Sequence, residues 1–205
     1  SEHKEKIHVL GGQRCEAPLT PNYHYIHFQK KLFQRKSDAY LREVIVFLKT
    51  REVSLAEIHN RPAWVNIIAN ETDVPLALHL HNDPQEMSRA KTKHERTKLL
   101  MQCKAVYCVS NFIKERMLEG VNDPELAKKV HVVYNIVKSS KMIDLSHKQK
   151  IITFVGRLTQ EKGIVEFANA LKNVLPDYPD WKALIIAPPS NRSFFDPSYR
   201  TVMSA

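Results

Sequence analysis

The sequence predicts an α/β protein built on parallel sheets, and three observations carry that prediction. Short aliphatic and β-branched runs alternate with helix-periodic segments along most of the 205 residues. Helix caps stand where those segments should begin. A content of 43 % hydrophobic and 26 % charged residues supports a sizeable core without disulfide or metal staples. A first strand is expected at 7–10, after which Gly11-Gly12-Gln13-Arg14-Cys15 leads into prolines rather than a helix. Ser37 is expected to cap a helix whose Tyr40, Leu41, Val44, Ile45 and Leu48 recur at helical spacing. Strands follow at 55–59 and 76–81, the second running into Asp83-Pro84, a cap with a first-turn proline. The strand at 105–109 meets Ser110, the cap of the next helix, and a strand at 130–133 closes the set. Residues 138–150 are polar with little periodicity and read as a linker. A fresh β-α-β unit opens with strands at 151–155 and 182–187, and no further alternation follows Pro188. The organisation expected is therefore a first domain over 1–137, a linker over 138–150 and a second unit over 151–205.

Thirty-one Lys and Arg against 22 Asp and Glu give a net charge of +9, which favours anionic partners. The excess gathers at Lys30, Lys31, Arg35 and Lys36, and at Arg89, Lys91, Lys93, Arg96 and Lys98 with Glu95 among them. Both clusters are expected to be solvated helix faces, the first also suited to anionic membrane headgroups. No interleaved aromatics, helix-turn-helix or RNP-like pattern accompanies them, so no nucleic-acid partner is expected. The longest apolar runs, at 44–48 and 183–187, are about a quarter of the roughly 20 residues a spanning helix needs. No secretory signal opens the chain, and Ser1 in place of Met points to a processed or engineered start. Three cysteines form neither a disulfide framework nor a four-ligand zinc pattern. Cys103 and Cys108 are expected to be small buried apolar residues of a cytoplasmic protein.

In open parallel sheets ligands bind beyond the carboxyl ends of the strands. Three such ends stand out: His59-Asn60-Arg61-Pro62, then His79-Leu80-His81-Asn82-Asp83, then Gly156-Arg157-Leu158-Thr159-Gln160-Glu161-Lys162-Gly163. In the last, Gly156 is expected to make a tight turn while Arg157 and Lys162 face the mouth of a loop entering a helix near Gly163. Two cations, backbone N–H groups and a helix dipole suit a diphosphate. Strand alternation puts His79 and His81 on one face, and zinc there would need two more ligands, His59 and Asp83 being the candidates. The reading favoured instead has His81 at the strand tip facing a ligand and His79 as a hydrogen-bonded core histidine. His59 fits either a structural or a site role.

Taken in order, these residues resemble the GT-B glycosyltransferases, specifically the retaining family 4, also called glycosyl transferases group 1. The signposts are Ile58-His59-Asn60-Arg61-Pro62, Leu78-His79-Leu80-His81-Asn82-Asp83 where the family has a His-Asp pair, Val109-Ser110-Asn111 opening a helix, and Tyr134-Asn135 where the family has Pro-Asn-Gly. Phe154-Val155-Gly156-Arg157 through Lys162-Gly163 is the most specific of them. The look is nearest to bacterial enzymes of lipopolysaccharide or polysaccharide assembly. The fold so implied is a Rossmann-like parallel sheet of a GT-B N-terminal domain plus the first β-α-β of a second Rossmann-like domain, which makes 1–137 a partial N-terminal domain and 151–205 the start of a second domain.

The resemblance implies metal-independent transfer, with retained configuration, from a UDP- or GDP-linked sugar to a cell-surface glycan or lipid-linked acceptor. It makes His81 the catalytic residue beside the sugar, and Arg157, Lys162 and Gly156 the holders of the donor diphosphate. His59, Asn60, Arg61, Asn82, Asp83, Ser110, Asn111 and Asn135 would line the cleft. No metal and no cofactor are expected, in line with the lack of an Asp-x-Asp motif. The protein would be cytoplasmic, peripheral at the inner face of the membrane. Against the family pattern, Asn135 is followed by Ile136-Val137-Lys138, the Gly-rich acceptor loop is missing, and no two Glu residues stand in a Glu-x7-Glu spacing. The chain therefore reads as truncated at both ends. The rival reading is a non-catalytic remnant that binds ligand weakly or acts through a partner, including another copy paired through exposed sheet edges.

Overall fold

A computed structural model describes residues 7–12, 22–29, 32, 35–137 and 145–187. The chain divides into two compact units, Ser1–Val137 and Lys138–Ala205. In the first, β1 (Val9–Gly11) and β2 (Tyr23–Tyr25) form a parallel pair. Helix α1 (Lys36–Lys49) leads to a four-stranded parallel sheet in the order β3 (Ala56–His59), β4 (Leu76–Leu80), β5 (Cys103–Cys108), β6 (Val130–Val132). Helices α2 (Pro62–Glu71), α3 (Lys93–Gln102), α4 (Asn111–Leu118) and α5 (Pro124–Ala127) make the crossovers. The second unit has a parallel pair, β7 (Ile151–Val155) and β8 (Lys182–Ile186), joined by α6 (Ile164–Val174).

Every strand expected from the sequence is present, each end within two residues of the expected one, the largest displacements being the starts of β1 at Val9 and β5 at Cys103. The short strand β2 was not foreseen. The helix of Tyr40 and Leu48 is α1, but its cap is Arg35 rather than Ser37, whose hydroxyl instead donates to the Asp38 carboxylate. Asp83 does cap, accepting from the Gln85 N–H, yet the turn it opens is only a 3₁₀ segment, Pro84–Glu86. The long helix starts later, behind a reciprocal Thr92–Glu95 capping box. Ser110 caps α4 as expected. The candidate residues Gln13, Arg14 and Cys15, the cations Lys30 and Lys31, the linker from Lys138 to residue 144 and the tail from Pro188 lie outside the described residues.

The core of the first unit occupies one face of the four-stranded sheet. Ile58, Leu76, Leu78, Leu80, Val106, Cys108 and Val130 pack there with Val65 and Ile68 of α2, Leu99 and Leu100 of α3, and Ile113 and Met117 of α4. Arg96 overturns the expectation of a solvated basic face. While Arg89, Lys91, Lys93 and Lys98 are exposed, Arg96 is only 3 % exposed, and its guanidinium donates to the carbonyls of Ala90, Lys91, Met117 and Glu119. In the second unit only Ile164 is buried among the described residues, so its pair of strands encloses almost no core.

Cys103 and Cys108 are buried free thiols, and burial pushes them up to about 12 and about 11 respectively, against the opposing pull of Lys129 and Lys114. A Cys15→Ser chain is expected to leave both thiols unreactive toward a disulfide reagent at pH 8 until denaturant is added. Prompt labelling of the native chain would show that this core opens readily.

Candidate functional site

The parallel register decides the site. It aligns His59 with His79, His79 with Tyr107 and Tyr107 with His131, one residue from each of the four strands. Because side chains alternate along a strand, this row projects from the face opposite the Ile58–Leu78–Val106–Val130 core. Glu57 and His81 share that face at positions two before His59 and two after His79. The rings form a chain of contacts across the sheet: His59 and His79 stack at 4.9 Å, His79 and His81 at 4.7 Å, and Tyr107 lies 6.0 Å from both His79 and His131.

Glu57 organises the row. Its Oε1 is hydrogen-bonded to His79 Nδ1 at 2.8 Å and lies 3.2 Å from His59 Nε2, an ion-pair contact. His59 Nδ1 is then 3.1 Å from His81 Nε2. Burial, reinforced by the neighbouring His79 and His59, holds His81 below the usual histidine range against the opposing pull of Glu57. His79 is a largely buried, hydrogen-bonded histidine, although on the face opposite the core rather than within it, and His81 is an exposed one just past the strand end.

Asn60 splices the two strand ends. At φ 56° it adopts the left-handed region that asparagine tolerates, its N–H donates to the His79 carbonyl, and its side chain reaches the Asn82 amide and the N–H groups of His81 and Asn82. Arg61 sits at the start of α2 with its guanidinium over the Trp64 ring. Asp83 is drawn elsewhere: its carboxylate accepts from Gln85 N–H and from Arg116 Nε at 2.8 Å, leaving it outside the histidine group. Ser110 is spent on its cap, Asn111 Nδ2 lies 3.4 Å from the Tyr134 hydroxyl, and Asn135 is exposed. Two depressions among the described residues lie apart from the histidines, one along α4 at Asn111, Lys114, Glu115 and Leu118 and one where α1 meets α2.

The second candidate is the loop from β7 to α6. Gly156 stands at a bend directly after β7, its N–H still donating to the Ile186 carbonyl, but its φ is not positive and an added Cβ would meet only ordinary contacts with Phe154 and Lys162. The left-handed turn is at Gly163, φ 71°, where the 3₁₀ turn Gln160–Lys162 passes into α6. Arg157 and Lys162 are both exposed, and the Arg157 guanidinium is ion-paired to Glu161 of the same loop. Arg157, Lys162 and the first turn of α6 are thus held in one short segment that can receive an anion once Glu161 releases its partner.

Sequence reasoning missed Glu57, Tyr107 and His131. Glu57 and His59 stand two apart on a strand, as His79 and His81 do, and that shared spacing was the available signal. Tyr107 and His131 carry no signal without the register.

No protein-family model matches the chain, and no curated protein matches it. Solved structures do. TarM superposes with a TM-score of 0.58 at 13 % identity, over 81 % of this chain and 34 % of its own. Anabaena Alr3699/HepE in complex with UDP and glucose gives 0.54 at 14 % identity, over 89 % of this chain and 51 % of its own. MnaA of S. aureus in complex with UDP gives 0.52 at 13 % identity, over 90 % and 52 %. The chain spans between a third and about half of the length of these structures. Its fold is a Rossmann-like architecture of the GT-B type.

Proposed function

We propose that the chain serves a family 4 glycosyltransferase, transferring a sugar with retained configuration and without a metal from a UDP- or GDP-linked donor to a cell-surface glycan or lipid-linked acceptor. The observation that carries this reading is the β7–α6 segment: two exposed cations beside a left-handed glycine and the N-terminus of an eleven-residue helix. In the reaction the anomeric C–O bond to the diphosphate breaks, its electron pair leaves with the diphosphate, and the acceptor hydroxyl oxygen bonds to the same sugar face while its proton passes to the departing diphosphate oxygen. Arg157 and Lys162 offset the charge that grows on the leaving group. His81, exposed just past the end of β4, serves as hydrogen-bonding partner to the transferred sugar. UDP bound in the HepE and MnaA structures supports a uridine donor. The site of action proposed is cytoplasmic, at the inner face of the membrane.

A second reading, a non-catalytic ligand binder, is favoured by the Arg157–Glu161 pair, which occupies the guanidinium that the diphosphate needs. Exposed Leu184, Ile185 and Ile186 on β8 suit pairing with a second copy in that case. Incubation of the purified chain with UDP-glucose and GDP-mannose, with sugar release followed by chromatography, separates the two. Turnover supports the transferase. Calorimetric UDP binding without turnover supports the binder, and neither binding nor turnover at millimolar donor removes both.

A further inference from the structure

We propose that His59, His79 and His81 form a zinc site, with Glu57 hydrogen-bonded to the outer nitrogen of His79. The inference goes beyond the glycosyl-transfer reading and does not rest on it. The ligand atoms of the three imidazoles all lie within 4.8 Å of one another, and no other such group occurs among the described residues. Glu57 settles which nitrogen of His79 is free. By accepting from His79 Nδ1 it leaves the lone pair on His79 Nε2. His79 Nε2 is buried and has no hydrogen-bond partner, an unpaid desolvation that an ion would relieve. His59 Nδ1 already sits 3.1 Å from His81 Nε2, close to the roughly 3.3 Å edge of a tetrahedron with about 2.0 Å zinc–nitrogen bonds.

A carboxylate on the outer nitrogen of a ligating histidine fixes its tautomer and raises its basicity, the arrangement that supports protein zinc sites. The scaffold is equally fixed, because two of the ligands face each other in the β3–β4 register and the third is two residues on along the same face. His79, with 14 % of its side chain exposed, is the immobile member. His59, 58 % exposed, and the exposed His81 can turn about χ2 so that the now stacked rings converge. Three imidazoles favour a borderline d-block ion over magnesium or calcium, which take oxygen ligands, and leave a fourth position for water. Zinc in this position withdraws His81 from any sugar.

The test uses the full chain stripped with EDTA and titrated with zinc chloride in a calorimeter, then with cobalt chloride followed by visible absorption. One equivalent is expected to bind, with the cobalt form showing tetrahedral bands and magnesium chloride giving no heat. His59→Ala and His81→Ala, both at exposed positions, are each expected to weaken zinc binding by about a hundredfold or more, and Glu57→Gln by about 10- to 100-fold. Histidine-ring NMR of the unaltered chain reads the same result without a variant, since zinc should shift three rings. Absence of saturable binding overturns the proposal. So does affinity unchanged in both alanine variants but lost in His24→Ala, which would place the ion at the His8–His24 pair.

Discussion

Replacing Arg96 by methionine is expected to lower the unfolding free energy by about 3–5 kcal/mol. Methionine keeps the aliphatic stem and most of the volume, so the loss isolates the guanidinium. That group donates to Ala90 and Lys91 ahead of α3 and to Met117 and Glu119 at the end of α4, at 2.6–3.3 Å. Two of these carbonyls belong to the last turn of α4 and the residue beyond it, where a cation also meets the negative end of the helix dipole. Hydrogen bonds from a charged donor contribute roughly 1.5–3 kcal/mol each, and the partly buried acceptors recover some of that from water. Arg96→Lys should lose most of the same stability, because one ammonium cannot span carbonyls on both sides. Urea unfolding measures both variants. A loss below about 1 kcal/mol for the methionine variant would mean that water replaces the guanidinium without difficulty.

Arg157→Ala and Lys162→Ala are each expected to cut donor turnover by about a hundredfold to a thousandfold under the proposed transferase reading. The effect should fall on kcat more than on KM, since the charge they offset is greatest when the diphosphate departs. Both side chains are exposed, so the thermal midpoint should stay close to that of the unaltered chain. Glu161→Gln works in the opposite direction: it frees the Arg157 guanidinium and should tighten UDP binding by a fewfold. Turnover that survives both alanine substitutions would separate the reaction from this loop. Tighter UDP binding in Glu161→Gln with no turnover in any variant would favour the binder.

Much of the architecture was readable because its signals are local. β7 falls on 151–155 as expected, and the caps at Asp83 and Ser110 hold. Misreadings arose where a local rule met a tertiary partner. Arg96 lies in a basic run that looks like a wet helix face, yet the α4 end needed a donor there. Gly156 does bend the chain after β7, but the position that needs glycine's left-handed freedom is Gly163, where the loop enters α6. Asp83, a candidate zinc ligand by proximity in sequence, is held by Arg116.

The sequence by itself determined the alternation of strands and helices and the loop that carries Arg157 and Lys162, since periodicity, caps and a continuous segment need no distant partner. It also placed His79 and His81 on one face. Only the tertiary structure decided that Glu57 and His59 join them, and that Tyr107 and His131 extend the row. Parallel strands are paired across crossover helices, so which residues become neighbours depends on how α2, α3 and α4 seat the core beneath the sheet.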